Sequence, residues 1–185
     1  MSDSPPSELT IPVTERDRIR GRASAPLTLL EYGDYECDYC GRAYPIVRAL
    51  RDHFGDRLRF VFRNFPHSNI HPHASLAAQA AEAAGSQGKF WEMHDLLYEH
   101  QTDLGASDLA HYALQVGVEL YHFQADLSAD RYAPKVSTDY EGGIASGVTR
   151  TPTFFINGIR YAGPTDVAAM TAALNAACAA SPECT

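Results

Sequence analysis

Glu31-Tyr32-Gly33-Asp34-Tyr35-Glu36-Cys37-Asp38-Tyr39-Cys40 is the stretch that decides the fold. The apolar run before it predicts a short buried strand over residues 27–31. After it, Cys40, Ala43, Val47, Leu50 and Phe54 recur at the spacing of one helix face, which predicts a helix over 38–54. Pro45 removes one backbone bond inside that helix and predicts a kink. Cys40 falls on the core-facing side. Cys37 falls at the first turn, where backbone N–H groups lack partners and the helix dipole is positive. That setting favours a thiolate and lowers a cysteine pKa. The spacing therefore predicts one exposed, activated thiol and one sheltered thiol three residues on. Such a pair suits thiol–disulfide exchange, with Cys37 attacking and Cys40 resolving the mixed disulfide.

Outward from this stretch, residues 58–62 alternate as a second strand. From His73 to about Ser146 the periodicity is helical throughout. Ala74 to Ala84 is alanine-rich, and Phe90, Met93 and Leu97 mark a further helix. Ser107 is placed to cap a helix carrying Leu109, Ala113 and Val116. More helix follows from about Glu119, with breaks predicted near Asp126 and Pro134. Strand character returns at residues 153–157. Asn157-Gly158 predicts a tight hairpin turn into Ile159-Arg160-Tyr161. Gly163-Pro164-Thr165 then opens a last helix with the stripe Val167, Met170, Leu174 and Cys178.

Composition bounds the rest. The chain has 185 residues, 45% hydrophobic and 21% charged, which is ordinary for a globular chain with a sizeable core. Its net charge of -8 disfavours nucleic acid and anionic membrane as partners. No apolar run reaches the ~18 residues that span a bilayer. The first residues lack the basic and apolar regions of a signal peptide, so the expectation is cytoplasmic, or periplasmic if a signal was removed. Residues 1 to about 10 read as a disordered tail. Four cysteines are too few for a disulfide scaffold. With no second C-x-x-C and no C-x-x-H, Cys37 and Cys40 also lack the four ligands of a structural zinc site. No heptad seam is present, so a monomer is expected.

Strand, helix, strand, helical block, hairpin and helix, with the cysteine pair at the first helix start, resemble the thioredoxin fold. The helical block resembles the insertion of its DsbA-like branch. The motifs carrying the resemblance are Glu31-Tyr32-Gly33-Asp34-Tyr35-Glu36-Cys37, a P-H ahead of the helical block, Phe90-Trp91-Glu92-Met93-His94-Asp95 and Thr151-Pro152-Thr153-Phe154-Phe155-Ile156-Asn157-Gly158. The expected architecture is α/β. Residues 1–22 form a tail and lead-in, 23–64 with 147–180 the thioredoxin-like core, 65–146 the helical insertion and 181–185 a C-terminal tail.

The resemblance, to bacterial domains of this kind, implies a thiol–disulfide oxidoreductase with no bound cofactor. Its partners would be protein thiols or disulfides and an electron donor or acceptor the chain does not name. It implies a cis Pro152 in a loop beside the cysteine pair, with the exposed main chain of Thr151 pairing to a substrate strand. It implies that Glu31 lies beneath the second cysteine, where a buried carboxyl takes the proton of Cys40. Thr151 before the proline resembles the isomerase members. Asp38 departs from the family, many of whose members carry proline there. With Asp34 and Glu36 it opposes a thiolate, so the pair is expected to be more reducing. A reductase or isomerase-like direction follows.

Tyr35, Tyr39 and Tyr44 surround the pair, as a substrate collar or as packing. His67, His71 and His73 cluster in a loop without the helix-phased ligands and supporting acids that metal binding wants, so no metal is expected. His94 reads as a core polar contact. Cys178 and Cys184 are six residues apart across a helix end, as a second redox pair, a staple, or a buried residue and a loose thiol. The competing function is a redox sensor or client-binding module that kept the fold without turnover.

Overall fold

A computed structural model of the chain describes residues 7–181 and Cys184. Of the tail predicted over residues 1 to about 10, residues 1–6 lie outside the described residues, as do residues 182, 183 and 185. Five strands form one sheet: β1 (Arg18–Arg20), β2 (Leu27–Gly33), β3 (Leu58–Asn64), β4 (Thr153–Ile156) and β5 (Ile159–Arg160). Their order is β1-β3-β2-β4-β5. The helices are α1 (Asp38–Phe54), α2 (Ala74–Ser86), α3 (Phe90–Glu99), α4 (Ala106–Val116), α5 (Leu120–Ser128), α6 (Ala133–Ala145) and α7 (Val167–Ala179). This is the thioredoxin fold with a helical insertion. The chain divides into two compact units, one of Met1–Tyr32, Arg42–Arg63 and Gly142–Thr185, the other of Gly33–Gly41 and Asn64–Glu141.

The first unit holds nearly all of the sheet. All seven residues of β2 are buried, as a central strand requires. The hairpin turn forms where predicted. Asn157 and Gly158 take φ of 48° and 84°, the left-handed pair that a two-residue hairpin demands. The Thr28 N–H donates to Asn157 Oδ1 at 2.7 Å, tying the turn back to β2. Asp166 caps α7 by accepting from the Ala169 N–H at 2.8 Å. Met170, Leu174 and Cys178 are buried on that helix, whereas Val167 is 43% exposed and stands outside the stripe. Cys178 and Cys184 are joined by a disulfide with Cα atoms 5.3 Å apart. α1 runs on through Pro45 to Phe54.

The lead-in differs from its sequence reading. Residues 7–10 are in place, because the edge of β5 offers main-chain partners: Arg160 N–H donates to Ser7 O at 2.7 Å and Leu9 N–H to Gly158 O at 2.8 Å. β1 pairs antiparallel with β3. Behind it, Arg63 is 4% exposed and grips Asp17 through two bonds, Nε to Oδ1 at 2.7 Å and Nη2 to Oδ2 at 3.0 Å. Its remaining donors reach the carbonyls of Ile11 at 2.9 Å and Pro12 at 3.0 Å and the Tyr32 hydroxyl at 3.0 Å. Burial alone would lower the Arg63 pKa, but bonds and charge from Asp17 and Tyr32 outweigh it and hold the guanidinium charged.

The second unit is built on α2, which packs against α3, α4 and α5. Ala77, Ala78, Ala80, Ala81, Ala83 and Ala84 are all buried, and side chains this small let the helices approach closely. Here the helix ends correct the sequence reading. Gly105, not Ser107, is the N-cap of α4, and Asp108 closes it by accepting the Gly105 N–H at 3.1 Å. The break expected near Asp126 falls after Ser128, since Asp126 lies within α5. The break expected near Pro134 falls just before α6, which begins at Ala133 and carries Pro134 in its first turn, where a proline forfeits no helical bond. The residues 33–41 group with this unit, not with the sheet, and the bonds described next are the reason.

Candidate active site

Cys37 immediately precedes α1, and its carbonyl accepts the Gly41 N–H at 3.0 Å to close the first turn. Its own N–H donates to Asp34 O at 3.2 Å. Cys37 thus occupies the cap position rather than a place inside the turn. Both cysteines are in the thiol form. Cys40 is fully buried as the helix face predicts, but Cys37 is only 6% exposed, less than the sequence reading expected. One cause is Gln101, beyond the end of α3. Its amide donates to the carbonyls of Tyr35 at 2.7 Å and Cys37 at 3.0 Å and covers the turn. A Cβ at residue 41 would fall 1.8 Å from Gln101 Oε1, so glycine there makes room for this clasp.

Carboxylates and histidines fasten the same turn. Asp34 is 2% exposed. Its Oδ1 accepts the Glu36 N–H at 2.9 Å, and its Oδ2 accepts the His67 N–H at 2.9 Å and meets His71 Nδ1 at 2.7 Å. Glu36 accepts the His73 N–H at 2.7 Å and meets His73 Nδ1 at 2.9 Å. Burial alone would lower the His71 pKa, but the Asp34 bond and the charges of Asp34, Cys37 and Glu36 raise it overall. The sequence reading set Asp34, Glu36 and Asp38 together against the Cys37 thiolate. In the structure, Asp34 and Glu36 are matched by His71 and His73, and Asp38 is exposed, where water and salt screen it. The histidine loop is engaged by carboxylates and aromatic rings, and among the described residues no group of three potential ligands could hold a metal ion.

Tyr35 is no part of a collar. It is 1% exposed, and its hydroxyl meets His94 Nδ1 at 3.0 Å inside a ring cluster with Tyr98. His94, 3% exposed, is the core polar contact expected of it. Tyr39 stands 67% exposed in the first turn of α1. In the sheet-bearing unit, Tyr44 is half-buried with the Arg48 guanidinium over its ring. Glu31 is 2% exposed on β2 and pairs in register with Phe154 of β4. The Thr151–Pro152 peptide bond is cis. Thr151 is 7% exposed, so its surroundings are tighter than the open main chain expected from the sequence.

Sequence reasoning missed Gln101 and the Asp34–His71 pair. The three histidines were visible, but nothing in their spacing shows that they face carboxylates thirty-odd residues earlier.

A family model described as Thioredoxin matches residues 13–176. A protein of Salinispora arenicola named Na(+)/H(+) antiporter NhaA 1 is 46% identical over 171 residues, covering 92% of this chain and 26% of that protein. The chain thus spans about a quarter of the length of the curated relatives it matches. BdbD of Bacillus subtilis, solved in its oxidised form, superposes with a TM-score of 0.85 at 22% identity, covering 95% of this chain and 98% of that one. The thiol-disulfide exchange protein α-DsbA2 of Wolbachia pipientis does so with a TM-score of 0.77 at 17% identity, covering 88% and 87%. At these identities the likeness is one of fold. With residues 13–176 matched by the family model, the chain belongs to the thioredoxin family, and its fold is that of these two structures.

Proposed function

We propose that this chain is a protein thiol–disulfide oxidoreductase acting through Cys37 and Cys40, in the reductase or isomerase direction. The observation that carries the proposal is Cys37 at the cap of α1, with Cys40 buried one turn on and both thiols free. The exchange activity named for α-DsbA2 supports it. The Cys37 thiolate attacks one sulfur of a substrate disulfide. That S–S bond breaks, the other sulfur leaves as a thiolate, and a Cys37–substrate mixed disulfide forms. Cys40 then gives up its proton and attacks the Cys37 sulfur. The substrate departs as its second thiolate, and Cys37–Cys40 is left as the disulfide. Two electrons have passed to the substrate, and a thiol reductant outside the chain restores the dithiol.

In this proposal Glu31 receives the Cys40 proton. Glu31→Gln is expected to slow the resolving step by about a hundredfold, the lower end of what a positioned base contributes. Single-turnover release of substrate, followed across pH, checks this; an unchanged rate assigns Glu31 a packing role. The Thr151–Pro152 loop and Tyr39 are proposed to receive an extended substrate segment. Cys178–Cys184 is proposed as a second redox pair. The chain is proposed to work as a monomer, without a bound cofactor, in a reducing compartment. The antiport named for the long relatives is not carried over. The match covers about a quarter of them, and among the described residues no helix is long and apolar enough to cross a membrane.

The near-complete burial of Cys37 is the one observation favouring the second reading, a sensor or client module without turnover. Reduction of a protein disulfide such as insulin by dithiothreitol separates the two, since only the enzyme accelerates it at substoichiometric amounts. Direction is tested by the Cys37–Cys40 potential in glutathione buffers, in a Cys178→Ser, Cys184→Ser background so that one couple titrates. A value near thioredoxin's, about −270 mV, supports the proposal, and one near DsbA's, about −120 mV, replaces it with an oxidase.

A further inference from the structure

Two carboxylate–histidine pairs strap the turn that carries Cys37 to the loop ahead of α2. Asp34, three residues before Cys37, holds His71, and Glu36, one residue before it, holds His73. The two straps differ in kind. The Asp34 side chain is fully buried and accepts two further bonds, from the Glu36 and His67 N–H groups, while His73 is half-exposed on a partly exposed Glu36. A carboxylate only accepts hydrogen bonds, so His71 Nδ1 carries its proton toward Asp34 and Nε2 is the nitrogen that titrates. His71 is mostly shielded from solvent, its side chain 22% exposed, and it is bonded to Asp34, whose main-chain carbonyl accepts the Cys37 N–H at 3.2 Å.

We propose that His71, oriented by Asp34, is the positioning residue that supplies the cation for the Cys37 thiolate. This rests on Cys37 being the attacking thiol. Asp38, the charge the sequence placed against the thiolate, is exposed, whereas His71 is held by a buried partner. The titratable groups near His71 are Asp34 on the turn, Glu36 and Cys37 beside it, and His67 in its own loop, with ring centroids 6.4 Å apart. Its raised pKa extends the range in which the cation exists. Below that value His71 is charged and the thiolate is favoured; as pH rises through it the support is lost. The reduced pair is stabilised by the same amount as the thiolate, so His71 also makes Cys37–Cys40 a better oxidant than it would be without it.

The test is the pH dependence of Cys37 alkylation by iodoacetamide, with the modified residue identified by peptide mass. It uses the full chain, His71→Gln and His73→Gln. Glutamine at 71 keeps a donor for Asp34 and removes the charge. The expected result is a Cys37 pKa raised by about one unit in His71→Gln, the low end of the effect of a nearby opposite charge. That is a roughly tenfold slower alkylation at pH 6 and a roughly tenfold shift of the glutathione equilibrium toward the disulfide. His73→Gln is expected to leave the Cys37 pKa in place. Equal shifts in the two variants would mean that loop anchoring, not charge, acts on Cys37, and would overturn the proposal. So would an unchanged pKa in a His71→Gln chain of native circular dichroism. If His71→Gln does not fold, the native chain alone decides: alkylation must show two ionisations, the thiol's own and a higher one at which the rate rises further as His71 discharges and the thiolate becomes more basic, and a single ionisation rejects the idea. If Cys40 rather than Cys37 is alkylated, or the native chain turns over no disulfide, the reading of Cys37 fails first, and separately.

Discussion

A Cys40→Ala variant is expected to accumulate a covalent mixed disulfide through Cys37, and a Cys37→Ala variant to form none. Cys40 is fully buried one turn into α1. It cannot meet a substrate first, but it attacks the Cys37 sulfur intramolecularly once the mixed disulfide exists. Intramolecular thiols act at effective molarities far above the millimolar concentration of an external reductant. Removing Cys40 is therefore expected to slow substrate release by at least about a thousandfold. Cys37→Ala leaves only a buried thiol and should reduce insulin turnover to the rate of dithiothreitol alone. Non-reducing gels and intact mass after incubation with a disulfide substrate read both outcomes. If the two variants trapped substrate equally, or if Cys37→Ala kept its turnover, the order of attack argued from burial would be wrong.

The second large effect is on stability. Arg63→Met is expected to destabilise the chain by about 3–5 kcal/mol, the cost of removing one partner of a buried ion pair. For a chain of this size that lowers the Tm by roughly 6–20 °C. The cost arises because Asp17, itself 6% exposed at its side chain, would keep its charge with its two guanidinium bonds gone, while the carbonyls of Ile11 and Pro12 lose their donor. A double Arg63→Met, Asp17→Leu variant should recover part of the loss, since no charge is then stranded, but not all, because those carbonyls remain. A thermal melt decides, and a single-variant Tm within about 2 °C of the parent would show that water reaches the pair after all.

Most of the architecture was legible because periodicity and turn chemistry are local. Cys40 to Phe54 share a helix face whatever the rest of the chain does, and Asn157-Gly158 dictates its turn through its own backbone preferences. Helix starts were less legible. Ser107 is a good cap by composition, yet Gly105 takes the role because Asp108 can close the ring one turn on. Residues 7–20 read as a lead-in because nothing nearby in sequence shows that Arg63, some forty residues on, needs five acceptors.

The candidate site divides in the same way. The C-x-x-C at a helix start picks out the two thiols proposed to react and the order proposed for them, since both rest on spacing and the geometry of a single helix. The environment of Cys37 does not. Gln101 over its carbonyl, Asp34 holding His71 and Glu36 holding His73 join residues 37 to 64 positions apart. They leave two of the three apparently repelling carboxylates hydrogen-bonded to histidines and the third exposed to screening by solvent. By itself the sequence determined that two cysteines stand one turn apart at a helix start, because that is set by residue type and local spacing. Only the tertiary structure decided which charged and polar groups surround them, because charge acts through space and burial, and neither is written in the spacing of residues along a chain.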